Sequence, residues 1–250
     1  MKKAYGFVVL TAFLFGTMEV ACKVAGNQLD PFQLTFIRFA IGGLILLPFA
    51  TVELRKAKIR LTARDLLRLA GVGILGISLS MVFFQLGVSN SNASTASVLI
   101  SINPLFTMVF AHFFTSEKLN LHKFVVLGFG LMGLIFMIRP WDVQEGNTVI
   151  GIVYMLLAAI FFGAYTIAGK VSAQKLGIMA QTSISFILGS IVLLIMMLIM
   201  GKPVIAGVAD NLPLVAYISL FVTGLGYFSY FMAIKCSDAA TGSLAFFLKP

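Results

Sequence analysis

Eight apolar runs follow one another along the chain, near positions 5–25, 32–50, 66–88, 92–114, 121–138, 149–170, 180–200 and 212–234, and a ninth begins near 238. A helix needs about 20 apolar residues to cross the hydrocarbon of a bilayer. No water is available there, so the backbone must satisfy its own hydrogen bonds, and continuous rather than alternating apolar runs do so as helices. Composition agrees: the chain is 60% hydrophobic and 11% charged, against about a quarter charged in soluble domains. The expected fold class is an all-α membrane protein. The fifth run is short, and His122 and Lys123 are expected to snorkel at its start.

The net charge of +9 does not point to nucleic acid, because the cations gather between spans. If the N-terminus is cytoplasmic, the inner side receives thirteen of them: Lys2, Lys3, Arg55, Lys56, Lys58, Arg60, Arg64, Arg68, Lys118, Lys123, Lys170, Lys175 and Lys235. The outer side keeps Arg139 and Lys202. That asymmetry predicts a multi-pass protein of the cell membrane with its N-terminus inside. The run Arg55–Arg68 reads as a topology anchor beside anionic lipid. Cys22 and Cys236 lie in or beside apolar segments and read as small packing residues. Two histidines give no metal site, so neither metal nor cofactor is expected. Met1-Lys2-Lys3 ahead of an apolar run resembles a signal peptide, but Glu19 and Lys23 interrupt the place for a cleavage site, so the segment is expected to remain as a span.

The chain repeats itself. At a shift of 147 positions, Leu10, Ala12, Phe15, Gly16, Ala21, Lys23 and Val24 meet Leu157, Ala159, Phe162, Gly163, Ala168, Lys170 and Val171. The same shift carries Thr35, Ile37, Phe39, Gly42, Leu46 and Leu47 onto Thr182, Ile184, Phe186, Gly189, Leu193 and Leu194. One register held over two spans marks an internal duplication. The unit holds five spans, an odd number, so the second copy enters the membrane inverted, as in many secondary transporters. The expected organisation is a first repeat over 1–140, a linker over 141–148, and a second, inverted repeat over 149–250. Asn103-Pro104 meets Lys249-Pro250 at a shift of 146, so about 35–45 further residues are expected to complete spans nine and ten.

These residues resemble an EamA-type transporter of the drug/metabolite transporter superfamily. The likeness rests on Phe15-Gly16…Lys23 and its copy Phe162-Gly163…Lys170, on Arg38-Phe39, on the small-residue run Ala93–Ser101 leading to Pro104, and on Glu117. The resemblance implies an inverted-repeat bundle of ten transmembrane helices, about eight and a half of them within these 250 residues, moving small metabolites by alternating access. Small multidrug resistance relatives carry a coupling glutamate eight residues before a lysine; here Phe15 stands at that place and Glu19 lies four before Lys23.

Charged and polar residues inside the spans are the candidates for function, because they are costly there. Glu19 lies six residues below the outer end of span one and Arg38 six below the outer start of span two, so both sit ~9 Å deep. Two readings stand: a structural Glu19–Arg38 ion pair with Lys23 snorkelling outward, or a substrate or proton site formed by Glu19, Lys23 and Arg38. Lys249 falls ~16 Å into span nine and Asn103 at similar depth in span four. Each precedes a proline that biases it away from helix, so substrate contact stands beside a Lys249 paired with a carboxylate further along the chain. Gln85, Tyr165, Tyr227 and Tyr230 are polar-tipped groups suited to a small-molecule pocket, or to packing with the hydroxyl bonded to a neighbouring helix. Lys170 is expected to snorkel and Glu117 to serve as an interfacial cap or pair, while Gly42-Gly43, Gly128, Gly130 and Gly133 offer faces for close helix packing.

The function expected is secondary transport of small polar or charged organic metabolites, amino-acid-like or carboxylate-bearing. The partners are the substrate, a coupling proton or ion, and membrane lipid, with no nucleic acid. The protein works as a monomer or homodimer. No Walker-type glycine loop is present for ATP coupling. The alternatives are a flippase for a lipid-linked intermediate, a membrane-embedded enzyme, or a non-transporting scaffold. For an enzyme, His112, Glu117 and His122 do not have the spacing of a ligand set or triad.

Overall fold

The computed structural model describes residues 2–117 and 146–248, with helical positions 121, 124, 125, 128, 129, 132, 133 and 136 between them. Among these residues seven helices are long and apolar enough to cross a bilayer: Ala4–Gly26, Pro31–Lys56, Ala63–Ser89, Ala93–Phe114, Val149–Leu176, Ile178–Ile199 and Ala209–Cys236. A shorter apolar helix, Ala239–Leu248, follows. These are spans one to four and six to nine. Much of span five, positions 141–145 of the expected linker, and Lys249 with Pro250 lie outside the described residues. The described residues contain no strand, and the architecture is an all-α membrane bundle.

Local chemistry sets the helix starts. Asp30 accepts from the Phe32 N–H with Pro31 in the first turn, Thr62 and Asp65 form a reciprocal capping box, Thr148 accepts from Gly151, and Asp238 accepts from Thr241. Span two, expected to end near 50, continues to Lys56. Its last turns still pack, since Ala50 and Leu54 sit against Leu69, Leu176 and Ala180. Polar residues there lower hydropathy without ending the helix.

The spans pair across the repeat. Span one packs on span eight, span three on span six, and span two on its own counterpart, span seven. Each pair is antiparallel. Phe7 meets Phe228 while Thr17 meets Tyr217, and the Ser80 hydroxyl donates to the carbonyl of Ala158 while that of Thr148 donates to the carbonyl of Asn90. Spans one and three are parallel, being joined through span two, so span six runs opposite to its counterpart, span one. The two copies are inverted.

Spans two and seven are fastened at both ends. On the far face, opposite the chain's N-terminus, Lys202 pairs with Asp30 at 2.8 Å. On the near face the Glu53 carboxylate accepts from the backbone N–H groups of Ile178 (3.2 Å) and Ala180 (3.0 Å). Gly177 makes this possible: its φ is +94°, and a Cβ there would collide with the Glu53 carboxylate. Glu53→Ala should therefore destabilise the fold by about 1–2 kcal/mol, the scale of a lost helix cap, visible as a lower thermal midpoint. An unchanged midpoint would show that water caps span seven equally well.

Spans three and eight, which are repeat mates, each carry an eight-residue π-helical segment, Ile74–Met81 and Ile218–Leu225. Such wide turns are uncommon and concentrate at functional sites. Small residues back them. Gly73 lies against Ser185 and Gly189 of span seven, while Gly42 of span two meets Ser219, Thr223 and Gly224. Gly43 is equally close to Phe186 and Ile187, as expected of a packing face. A Cβ at Gly128 or Gly133 would meet no described atom within 4 Å, so those two do not serve close packing among the described residues, and Gly130 lies outside them.

Candidate functional site

At the centre of the bundle four phenylalanines surround Tyr227. Its ring centroid lies 5.2 Å from Phe15, 5.5 Å from Phe39, 5.9 Å from Phe162 and 5.1 Å from Phe186. These are two repeat pairs, Phe15 with Phe162 and Phe39 with Phe186, and the second pair stacks edge to face at 4.7 Å. The repeat axis thus passes through an aromatic knot filled by a residue from span eight.

On one side of the knot lies Arg38, fully buried. Nη1 donates to the Cys22 Sγ at 3.5 Å and Nη2 to the Met81 Sδ at 3.4 Å. The guanidinium carbon stands 4.8 Å from the centre of the Phe39 ring and 5.6 Å from that of Phe84. Nε has no hydrogen-bond partner. Thioethers and thiols are weak acceptors, and aromatic faces return only part of a cation's lost hydration. Arg38 therefore makes no ion pair among the described residues, which replaces the expected Glu19–Arg38 pair. Arg38 reaches span one at Cys22, about one turn further toward the far face than Glu19. Glu19 is buried too. Gln85 joins the cluster, donating to the Cys22 carbonyl at 3.2 Å while its own carbonyl oxygen is buried and unbonded. The Tyr227 hydroxyl donates to the same Met81 sulfur at 3.1 Å.

Other candidates lie apart from this cluster. Lys23 reaches the far-face end of span three. Its ammonium donates to the carbonyls of Val88 (2.9 Å), Ser89 (3.2 Å) and Ser91 (2.8 Å), closing the C-terminus of span three. Lys23→Met should lower thermal stability. If the cap is its whole task, the affinity of the surviving folded protein for substrate stays within about twofold; a selective loss of affinity would return Lys23 to the binding site. Its repeat mate Lys170 pairs with Glu117. The same Glu117 oxygen also accepts from Ala239, so Glu117 is both pair and cap. Asn103 is helical rather than displaced from helix. Span four breaks at Ser101–Ile102 instead, so that Pro104 falls in the first turn of a new helix, where its missing N–H costs nothing. The Asn103 side chain accepts from Thr107 at 2.7 Å, and its buried amide nitrogen lacks a partner. Tyr230 bonds Thr166 at 3.0 Å, and the buried Tyr165 hydroxyl has no hydrogen-bond partner among the described residues. Cys236 is exposed, unlike the packing residue expected. Lys249 lies outside the described residues.

A cavity of about 560 Å³ opens at the near face between spans two, six, seven and eight, lined by Glu53, Lys170, Lys175, Phe231 and Lys235 among others. From its wall rings lead inward: Phe231 to Tyr165 (5.6 Å), then Tyr165 to Tyr227 (6.2 Å), whose hydroxyl touches the sulfur that also meets Arg38. The far face carries a cover. Gln33 donates to the Ala206 carbonyl (2.8 Å), Asn211 to Gln28 (2.7 Å), and Lys202 to Asp30. Two inverted copies, a buried cation at their junction and a cavity on one face are the anatomy of a carrier.

The profile of the EamA-like transporter family matches residues 2–139 and again 149–250. The chain belongs to the EamA-like transporter family. An uncharacterized transporter of Clostridium kluyveri is 37% identical to it, covering 100% of this chain and 83% of that protein. An S-adenosylmethionine uptake transporter of Rickettsia bellii is 28% identical over 75% of this chain and 62% of that protein. A solved crystal structure matches 100% of this EamA-like chain and 85% of its own with a TM-score of 0.72 at 17% identity, a likeness of fold alone. Sequence reasoning passed over Met81 in this transporter, and it gave Cys22 and the four phenylalanines no part in a site. The phenylalanines are visible in the sequence as repeat mates, and three of them carry the family resemblance, but nothing there points to a ring cluster around Tyr227. Nothing in the sequence marks Met81, because a methionine in a span looks like any other apolar residue.

Proposed function

We propose that this protein is a secondary transporter of small organic metabolites that bear a carboxylate, amino acids and related zwitterions first among them, and that Arg38 is the anchor for that carboxylate. The observation that carries the reading is a fully buried guanidinium with no carboxylate or carbonyl acceptor in the described structure. A cation held so poorly costs stability, and a bidentate anionic ligand is the partner its planar fork fits. Gln85 and Tyr227 supply polar contacts and the phenylalanines an apolar wall. Glu19 balances charge, takes the ammonium of a zwitterion, or carries a coupling proton; Lys249 and Asn103 add polar contacts from spans nine and four. S-adenosylmethionine, named as the cargo of the Rickettsia relatives, carries an α-carboxylate and so falls within this class.

The transport cycle follows from the two faces. The basic loops favour a cytoplasmic near face and N-terminus; on that reading the cavity is the inner vestibule and the bonded 201–211 segment the outer closure of one state of alternating access. Movement of the Phe231–Tyr165–Tyr227 series opens Arg38 to the vestibule. This is transport across the cell membrane rather than catalysis.

A thermal-shift comparison on the purified protein tests the ligand class. A free amino acid series should raise the midpoint, and the matching amides, whose carboxylate is neutralised, should not. Equal shifts from acids and amides would remove the carboxylate from the proposal. Flux of the stabilising compound into proteoliposomes then tests transport itself.

A further inference from the structure

A second cavity, of about 550 Å³, lies between spans three, four and six, away from Arg38. Its lining includes Leu75, Phe114, Ala164 and Ala168, with Arg68 as its cationic side chain and Gly71 on its wall. Arg68 and Phe114 lie toward the near-face ends of their spans. From Arg68 to Leu75 the groove runs about 10 Å toward the membrane centre. Arg68 makes no hydrogen bond or ion pair with a described residue, and Arg64 is exposed one turn earlier. The carboxylate on this helix, Asp65, is occupied by Thr62 and Lys175.

We infer that this groove is a specific site for an anionic phospholipid, with one acyl chain lying along Gly71, Leu75 and Ala168 and the phosphodiester held by Arg68. Shape and charge agree on the occupant. The walls are apolar at the depth of the chains, and a cation with no protein acceptor stands at the depth of the headgroups. Dispersion contacts along the chain favour any lipid; Arg68 selects the anionic ones.

Gly71 gives a clean test, because a Cβ there would meet nothing within 4 Å and leucine favours helix over glycine. Native mass spectrometry of the detergent-purified chain, titrated with phosphatidylglycerol or phosphatidylcholine, should show one phosphatidylglycerol retained at least fivefold better than phosphatidylcholine. Gly71→Leu should lower retention of both lipids about fivefold by filling the groove. Arg68→Gln should leave the groove open and abolish only the preference. Equal retention of the two lipids by the wild type, or no effect of either variant, would overturn the inference. So would displacement of the lipid by inorganic phosphate alone, which would make the site a phosphate site. Dissociation of a dimer by Gly71→Leu at unchanged lipid count would assign the groove to a second copy of the chain. Should Gly71→Leu fail to fold, Ala168→Leu fills the same space and is read in the same way.

Discussion

Arg38→Met should abolish substrate binding and flux while leaving the protein at least as heat-stable as the wild type. Most losses of function by a core substitution come with a loss of stability, so the combination is diagnostic. Methionine fills most of the arginine's volume and is at home among Cys22, Met81, Phe39 and Phe84. It removes a buried charge that weak sulfur acceptors and ring faces only partly compensate, and replacing such charges by apolar residues is commonly neutral or stabilising. The function suffers in the opposite direction. Truncating the partner of a buried, hydrogen-bonded charge costs about 2–5 kcal/mol of binding, a weakening of roughly thirtyfold to several thousandfold. Arg38→Lys keeps the charge but loses the fork, so it should recover part of the binding. The measurements are the thermal midpoint without ligand and counterflow in proteoliposomes. A fall in midpoint with proportionate loss of flux would make Arg38 a structural residue, and the carboxylate reading would lose its anchor.

Gly189→Leu should have the largest effect on the fold. A Cβ at Gly189 would lie 2.6 Å from the carbonyl oxygen of Gly73 and 2.9 Å from the Ile77 side chain. The obstacle is backbone, which cannot rotate away as a side chain can. Overpacking costs about 1–3 kcal/mol, occasionally more, and here it falls where span seven crosses the π-helical segment of span three. Loss of most folded protein on expression is the expected result, measured by fluorescence-detected size exclusion of a tagged chain. Gly42→Leu, at the equivalent place in the first copy, should do less harm. Its nearest contact, the Thr223 methyl at 3.1 Å, belongs to a side chain that can turn. Equal tolerance of both would show that the span-three crossing is looser than its geometry implies.

The legible and illegible parts of the molecule divide by the range of the interaction concerned. Hydropathy placed the described spans to within a few residues, apart from the polar ends of spans two and six, because crossing a bilayer is a condition each segment meets alone. The 147-residue register, with an odd number of spans per copy, foretold the inversion, and it named Phe15, Phe162, Phe39 and Phe186 as equivalent pairs. Counting residues from the span ends brought Arg38 to span one near Glu19, within about one turn of the Cys22 it meets.

Which partner a buried group takes was decided only by the tertiary structure. Arg38 turned to Cys22 and Met81, Lys23 to the carbonyls ending span three, and Lys170 to Glu117. The physical reason is rotational. Sequence fixes how deep a side chain lies and the spacing of its neighbours along one helix, but packing sets how each helix is turned about its axis, and a few tens of degrees separate one partner from the next.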